Sequence, residues 1–333
     1  MKTHDTVGNA WMRGIDTLIL VTTYRCNLRC RYCPTHKADE DMGTDIVTAA
    51  VDRYIRNPDA LPALRFVRFF GAEPLLHLPA MKTVLDALPP TSPLRCMVTT
   101  NGTLLNTDTW RFLDAHPELE ITVSLDGPPV VQTGNRPGVD STDSAAWFET
   151  NREKLLARQT PVTVNMTIAP AQAEHLVENF QWLYSQGIRK FNFLPAYYVV
   201  WSDAQLDALE QGFEKLGTLI AAMWERKLRV VVKNMFVNAD TAFFNRALVV
   251  DTDGDIYDTS AVLTARMRPY RHQLKMGNVL DDTLLQQPQG HIDDILNDAY
   301  SPALLDATVK VDEALTRFVE RLRPQWLRHK MDT

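Results

Sequence analysis

The chain has 333 residues, of which 45% are hydrophobic and 23% charged, the proportions of a soluble globular protein with ample length for one large domain or two ordinary ones. Its 35 basic and 41 acidic residues leave a net charge of −6. That balance argues against broad, sequence-independent binding to nucleic acid or an anionic membrane, although a local basic patch stays open.

The N-terminus, Met1-Lys2-Thr3-His4-Asp5, lacks the apolar core of a signal peptide, and no apolar run is long enough to span a membrane. A cytoplasmic location is the expectation. Of four cysteines, three fall within eight residues, Cys26, Cys30 and Cys33. Spacing this tight makes a disulfide framework implausible and fits free thiolates that await a metal.

Residues 1–15 read as a polar leader with one apolar pair, Trp11-Met12. Strands are predicted at 17–22, 65–70, 95–100, 119–125, 161–168 and 190–195, each rich in β-branched or aromatic residues and bounded by Gly, Pro, Asn or Asp. Helical spacing recurs between them at 44–57, 79–88, 107–115, 144–158 and 173–186, with Thr44 and Thr107 as expected caps. Strand–helix alternation implies a parallel sheet with crossover helices. The pattern by itself leaves a partial barrel and an open doubly wound sheet equally possible.

Right after the first strand comes Tyr24-Arg25-Cys26-Asn27-Leu28-Arg29-Cys30-Arg31-Tyr32-Cys33-Pro34. Structural zinc sites and electron-transfer clusters take four protein ligands, so three thiolates leave one position open for something that reacts. The second strand ends in Gly71-Ala72-Glu73-Pro74, the third in Thr99-Thr100-Asn101-Gly102, and the fourth runs from Ser124 into Asp126-Gly127-Pro128. Each of these alone reads as a turn. Together, and each at the carboxyl end of its own strand, they mark the edge where parallel α/β proteins build active sites.

In these residues the chain resembles the radical S-adenosylmethionine (radical SAM) enzymes, over residues 16–195. The resemblance implies a partial (βα)6 barrel over 16–228, with one [4Fe-4S] cluster on Cys26, Cys30 and Cys33, whose fourth iron binds S-adenosylmethionine (SAM) through its amino and carboxylate groups. It implies cofactor contacts from Gly71, Ala72, Glu73, Asn101, Ser124, Asp126, Arg136 and Asn165. Glu73 and the backbone beside it would meet the SAM amino group, and the Arg136 guanidinium suits a carboxylate. The second glycine of the family's G-G-E-P is Ala72 here, which leaves backbone recognition possible. Asn165 and Thr167 share one face of the fifth strand and either line the pocket or bond within the barrel. Tyr198, just past the sixth strand, is a candidate hydrogen donor or substrate contact.

Residues 202–227 predict a long helix with Leu206, Leu209, Phe213, Leu216, Ile220 and Trp224 on one face. A hairpin pivoting on Asp253-Gly254 follows, with Asp251, Asp253 and Asp255 too poorly framed for a calcium loop. This hairpin and Lys275-Met276-Gly277-Asn278-Val279 are similar to the SPASM or twitch extension of the family, so residues 229–333 are expected to form a degenerate version of it, a β-hairpin plus helices. Asp258 stands where a cluster cysteine would follow the tyrosine, and no cysteine follows Cys96, so auxiliary cysteine-ligated clusters are ruled out. Cys96, in the third strand, reads as a buried inert thiol, with radical quenching the other possibility. The apolar stripe Val311, Leu315, Phe318, Leu322 and Trp326 is expected to pack on the barrel or to form a dimer contact.

The resemblance implies reductive cleavage of SAM and hydrogen abstraction by a 5′-deoxyadenosyl radical, fed by a reductant such as flavodoxin or ferredoxin. The S-x-D-G-P segment and the degenerate extension point to a ribosomally made peptide as substrate. The absent auxiliary cysteines and the lack of a visible leader-binding domain favour the alternative, a sugar, nucleoside or amino acid. A non-enzyme rival is structural zinc on the three cysteines and His36, which leaves the ordered strand-end motifs unexplained. A third reading is an enzyme relic that binds SAM without cleaving it.

Overall fold

Strands and helices alternate where the periodicity predicts them. The structure is a computed structural model that describes residues 14–331 except 90, 140–142, 237–245 and 282–284. The Trp11-Met12 pair lies outside the described residues. The six strands are β1 (Thr17–Thr23), β2 (Phe66–Gly71), β3 (Arg95–Thr100), β4 (Glu120–Ser124), β5 (Thr163–Ile168) and β6 (Lys190–Pro195). Each pairs in parallel with the next. Strands β2, β5 and β6 alternate between fully and partly buried residues. Val67, Phe69, Val164, Met166, Phe191 and Phe193 are in the main apolar core with the helices, and the residues between them face the inside of the curved sheet.

The crossover helices are α1 (Thr44–Ala50, continued by a π turn to Ile55), α2 (Leu78–Ala87), α3 (Thr107–Ala115), α4 (Pro129–Asn135), α5 (Ala146–Leu156) and α6 (Leu176–Ser185). The caps of α1 and α3 each lie one residue before the expected threonine. Gly43 occupies the N-cap position of α1. Asn106 caps α3, its Oδ1 accepting from the backbone N–H of Asp108 and of Thr109, each at 3.1 Å. Thr44 and Thr107 are already helical, so their hydroxyls cannot turn back as a cap must. Helix α4 was not expected. It contains two valines and a glycine, poor helix formers, and is held instead by Gln132, which donates to the Ser124 carbonyl and accepts from the Asp126 N–H.

Helix α7 (Asp203–Glu225) starts from a reciprocal Ser202–Gln205 capping box and buries Leu209, Phe213, Leu216, Ile220 and Trp224, with Leu206 partly covered. Past it, β7 (Val231–Val232) adds in parallel to β6. The expected hairpin forms from β8 (Arg246–Val250) and β9 (Asp255–Thr259), and β10 (Gly277–Asn278) pairs with β9. Strand β8 also lies parallel to β1, so all ten strands form one sheet in the order β10-β9-β8-β1-β2-β3-β4-β5-β6-β7. The acidic turn is neutralised from within the extension: Asp251 pairs with Arg271 at 2.7 Å, Asp253 with Arg271, and Asp255 with Lys275 at 2.6 Å.

The C-terminal helices are α8 (Arg271–Leu274), α9 (Ile292–Ala299) and α10 (Pro302–Met331). The apolar stripe of α10 packs on the barrel. Phe318 lies 4.9 Å from the Phe213 ring of α7 and 5.6 Å from the Phe193 ring of β6. Of its members, Val311, Leu315, Phe318 and Leu322 are buried.

Candidate functional site

A cavity of about 660 Å³ fills the inside of the curved sheet, within the range of ligand sites. Alternation puts Ile19, Arg68, Phe70, Met97, Thr99, Thr122, Ser124, Asn165, Thr167, Asn192 and Leu194 on its wall, and α10 closes one side with Asp312, Leu315 and Val319. The cysteine loop forms the roof at the carboxyl ends of the strands.

Cys26, Cys30 and Cys33 all line this cavity and are half-buried, whereas Cys96 is buried in the core. The Leu28 N–H lies 3.4 Å from the Cys26 sulfur and the Asn101 amide nitrogen 4.0 Å from it. Burial pushes the Cys26 thiol up to about 11 and raises that of Cys30, a penalty that binding to iron removes. Two segments clamp the loop. On one side, Arg29 and Arg31 donate backbone N–H groups to the carbonyls of Pro137 and Asn135, at 2.8 and 2.9 Å. On the other, the His36 N–H donates to the Leu263 carbonyl at 2.9 Å and the Ala265 N–H to the Pro34 carbonyl at 2.8 Å. The C-terminal extension therefore seats directly against the cysteine loop.

The three thiols fit a cluster better than a single ion. Among the described residues no three Cys, His, Asp or Glu side chains gather as ligands of one metal. Zinc needs all its donors in one tight shell, whereas an iron–sulfur cluster takes each thiolate on a separate iron. His36 is absent from the cavity wall, and its ring packs edge-on against Tyr24, 5.4 Å away.

At the end of β2 the chain folds back under this loop. Gly71 has φ +140°, and a Cβ there would lie 2.1 Å from the Thr23 carbonyl oxygen. The Ala72 N–H donates to that same oxygen and the Glu73 N–H to the Arg25 carbonyl, both at 2.9 Å. Only glycine permits this approach. It sets Glu73 inside the barrel, where the carboxylate accepts from Thr100 Oγ1 at 2.6 Å, the Asn101 N–H at 2.7 Å and the Leu75 N–H at 3.2 Å. Burial outweighs these bonds and lifts its pKa to about 7. Asn101 in turn donates to Asn27 Oδ1 at 2.9 Å, tying the end of β3 to the cysteine loop.

A buried hub sits beneath β4. Asp126 accepts from Arg136 Nη2 at 2.9 Å and Nε at 3.1 Å, from the Tyr32 hydroxyl at 2.6 Å, from Asn135 at 3.1 Å and from the Thr167 N–H at 3.2 Å. The Arg136 guanidinium also stands 5.3 Å from the centre of the Tyr32 ring. Burial lowers the arginine's pKa, yet Asp126 more than compensates and holds it well above its usual value.

The cavity thus gathers Gly71, Ala72, Glu73, Asn101, Ser124, Arg136 and Asn165 with the three cysteines. Asp126 is not on the wall, because its oxygens are consumed by protein donors. Tyr198 is not on the wall either. Its backbone takes φ +58° and its ring packs 4.3 Å from that of Tyr300, while Tyr197 faces the cavity. Sequence reading also missed Tyr32, Arg68, Asn192 and Lys233. For Arg68 and Asn192 the signal was present, since a charged or amide residue within an apolar strand marks an inward-facing position.

A model of the radical SAM superfamily matches residues 20–183, from β1 into α6. Over 97 residues the chain is 39% identical to a probable GTP 3′,8-cyclase of Methanocella arvoryzae, a match that covers 29% of this chain and 30% of that protein. The chain thus spans about a third of that curated relative's length. In fold it is similar to native anSMEcpe with bound AdoMet, with TM-score 0.75, 15% identity and coverage of 95% of this chain and 100% of that one. It is also similar to Streptococcus suis SuiB bound to the precursor peptide SuiA, with TM-score 0.54, 13% identity and coverage of 88% and 66%. Family match and roof chemistry agree: the chain belongs to the radical SAM superfamily, whose members use a [4Fe-4S] cluster and S-adenosylmethionine.

Proposed function

We propose that the protein is a radical SAM enzyme that modifies a peptide at a side chain or α-carbon. The observation that carries this reading is the placement of three half-buried thiols over a cavity rimmed by polar strand ends. When bound, the cluster and SAM together supply one-electron cleavage of a carbon–sulfur bond and, through it, removal of a hydrogen atom from an unactivated C–H.

The protein's part is to hold and to shield. Cys26, Cys30 and Cys33 would ligate the cluster. Glu73 would accept the ammonium of SAM, which favours the ionised carboxylate. Asn101, Ser124 and Asn165 offer hydrogen bonds along the rim. Arg136, oriented by Asp126, has its Nη1 arm outside that ion pair and would face the carboxylate of SAM. Walls of Phe70, Met97, Leu194 and Leu315 exclude water. A peptide substrate is supported by the two similar folds whose structures hold peptides, SuiB and anSMEcpe. The similarity to a GTP cyclase supports the second reading, a small molecule such as a nucleoside. A flavodoxin or ferredoxin would deliver the electron.

Anaerobic reconstitution tests the reading. Wild type and Cys96→Ala should bind iron and sulfide and release 5′-deoxyadenosine from SAM, while Cys26→Ala, Cys30→Ala and Cys33→Ala should do neither. A colourless protein carrying one zinc would overturn it. Deuterium transfer into 5′-deoxyadenosine from labelled peptides, against labelled nucleosides and amino acids, separates the two substrate classes.

A further inference from the structure

The part of the cavity remote from the cysteines carries charge that the cofactors do not use. Arg68 lies on the inner face of β2, three residues before Gly71. At a strand rise of about 3.3 Å per residue it sits on the order of 10 Å below the carboxyl ends of the strands. Its Nε is fully buried and has no hydrogen-bond partner among the described residues. Beside an Nη, that N–H forms the two-donor edge by which a guanidinium grips a carboxylate or phosphate.

Lys233 reaches the same space from the turn after β7. The neighbouring Asn234 fixes it there, accepting from the Phe193 N–H and donating to the Phe193 carbonyl, both at 2.9 Å, as a further strand on β6 would. Burial, with Arg68 and Lys190 nearby, pushes Lys233 down to about 8. The opposing carboxylates are Asp16 and Glu120, and Glu120 is already paired with Arg95. Asp312 and Glu320 of α10 line the cavity on its other side. Two half-buried cations held close together cost stability unless anions meet them, and with Glu120 already shared with Arg95 the site is suited to an anion that arrives.

We propose that Arg68 and Lys233 bind an anionic group of the substrate, a carboxylate or a phosphate, at the end of the cavity opposite the cysteines. Naming the ligand a substrate rests on the radical SAM reading; the site itself does not. The anion would lie on the order of 10 Å from the reacting carbon, about three residues of extended peptide.

Calorimetric titration of cluster-reconstituted protein with pyrophosphate and with glutarate tests this. One of the two should bind wild type, pyrophosphate assigning a phosphate and glutarate a carboxylate. Arg68→Met and Lys233→Met should each weaken binding by about tenfold or more. Arg68→Lys, which keeps the charge, should recover part of the loss, and the exposed control Arg226→Gln should bind as wild type does. Thermal unfolding checks that each variant is folded. If wild type binds neither anion, or the two methionine variants bind as tightly as wild type, the proposal falls. Absence of SAM cleavage by wild type would instead sink the proposed function, and the titration would still decide the anion site.

Discussion

Arg136 and Asp126 form a fully buried, two-point ion pair, Nη2 to Oδ1 at 2.9 Å and Nε to Oδ2 at 3.1 Å, at the junction of β4, α4 and the cysteine loop. The Tyr32 hydroxyl, from between Cys30 and Cys33, completes it. The pair ties β4 to the loop that carries the thiols, and Arg136 lines the cavity in the orientation that Asp126 holds.

Asp126→Leu should therefore destabilise the protein by about 3–5 kcal/mol, because it strands a buried guanidinium. Urea unfolding measures this. Iron retention should fall as well, since Tyr32 loses its acceptor. Arg136→Lys, which preserves the charge, should cost less on both measures. Equal iron content in Asp126→Leu and wild type would show that the hub does not support the loop.

Gly71→Ala should cost on the order of 1–3 kcal/mol from backbone strain alone, with the clash against Thr23 added. SAM affinity should drop with it, because the displaced segment carries Glu73. Ala72→Gly, which restores the family's second glycine, should stay within about 1 kcal/mol of wild type. The contrast between adjacent positions is the measurement, by equilibrium unfolding and SAM titration.

Lys233 gives a pH signature. Its folded value is about 8 against an ordinary 10.5. Below pH 8 the lysine is charged in both folded and unfolded chains, so the burial penalty is fully present. Between 8 and 10.5 the unfolded chain binds more protons, and stability from this residue rises with pH. Without added anions, Lys233→Met should gain up to about 3 kcal/mol over wild type near pH 7, a gap that shrinks above pH 8 and closes above 10.5. A gap constant with pH across unfolding curves would contradict the burial of this charge.

Tyr198→Phe should leave SAM cleavage within about twofold of wild type, because the ring sits against Tyr300 in the second apolar cluster rather than at the cavity. A loss beyond tenfold in 5′-deoxyadenosine release, about 1.4 kcal/mol in barrier, would return Tyr198 to the chemistry.

The order of strands, the loop with its three thiols and the polar strand ends were all legible in the sequence, because each is written locally. A parallel strand announces itself by β-branched residues between breakers, and a cysteine triplet by its spacing. Gly71-Ala72-Glu73 and Asn101 could be placed at the rim for the same reason: the carboxyl end of a strand is where its own sequence stops. What local sequence could not carry was which surfaces meet. That β8 pairs with β1, that Leu263 and Ala265 brace the cysteine loop, that Asp126 spends its oxygens on Arg136 and Tyr32, and that Tyr198 packs on Tyr300 all depend on partners from ten to more than two hundred residues away. Periodicity tells a residue which side of its own element it occupies. Only the assembled, curved sheet decides what waits on that side, and it brought Arg68 and Lys233 to one place.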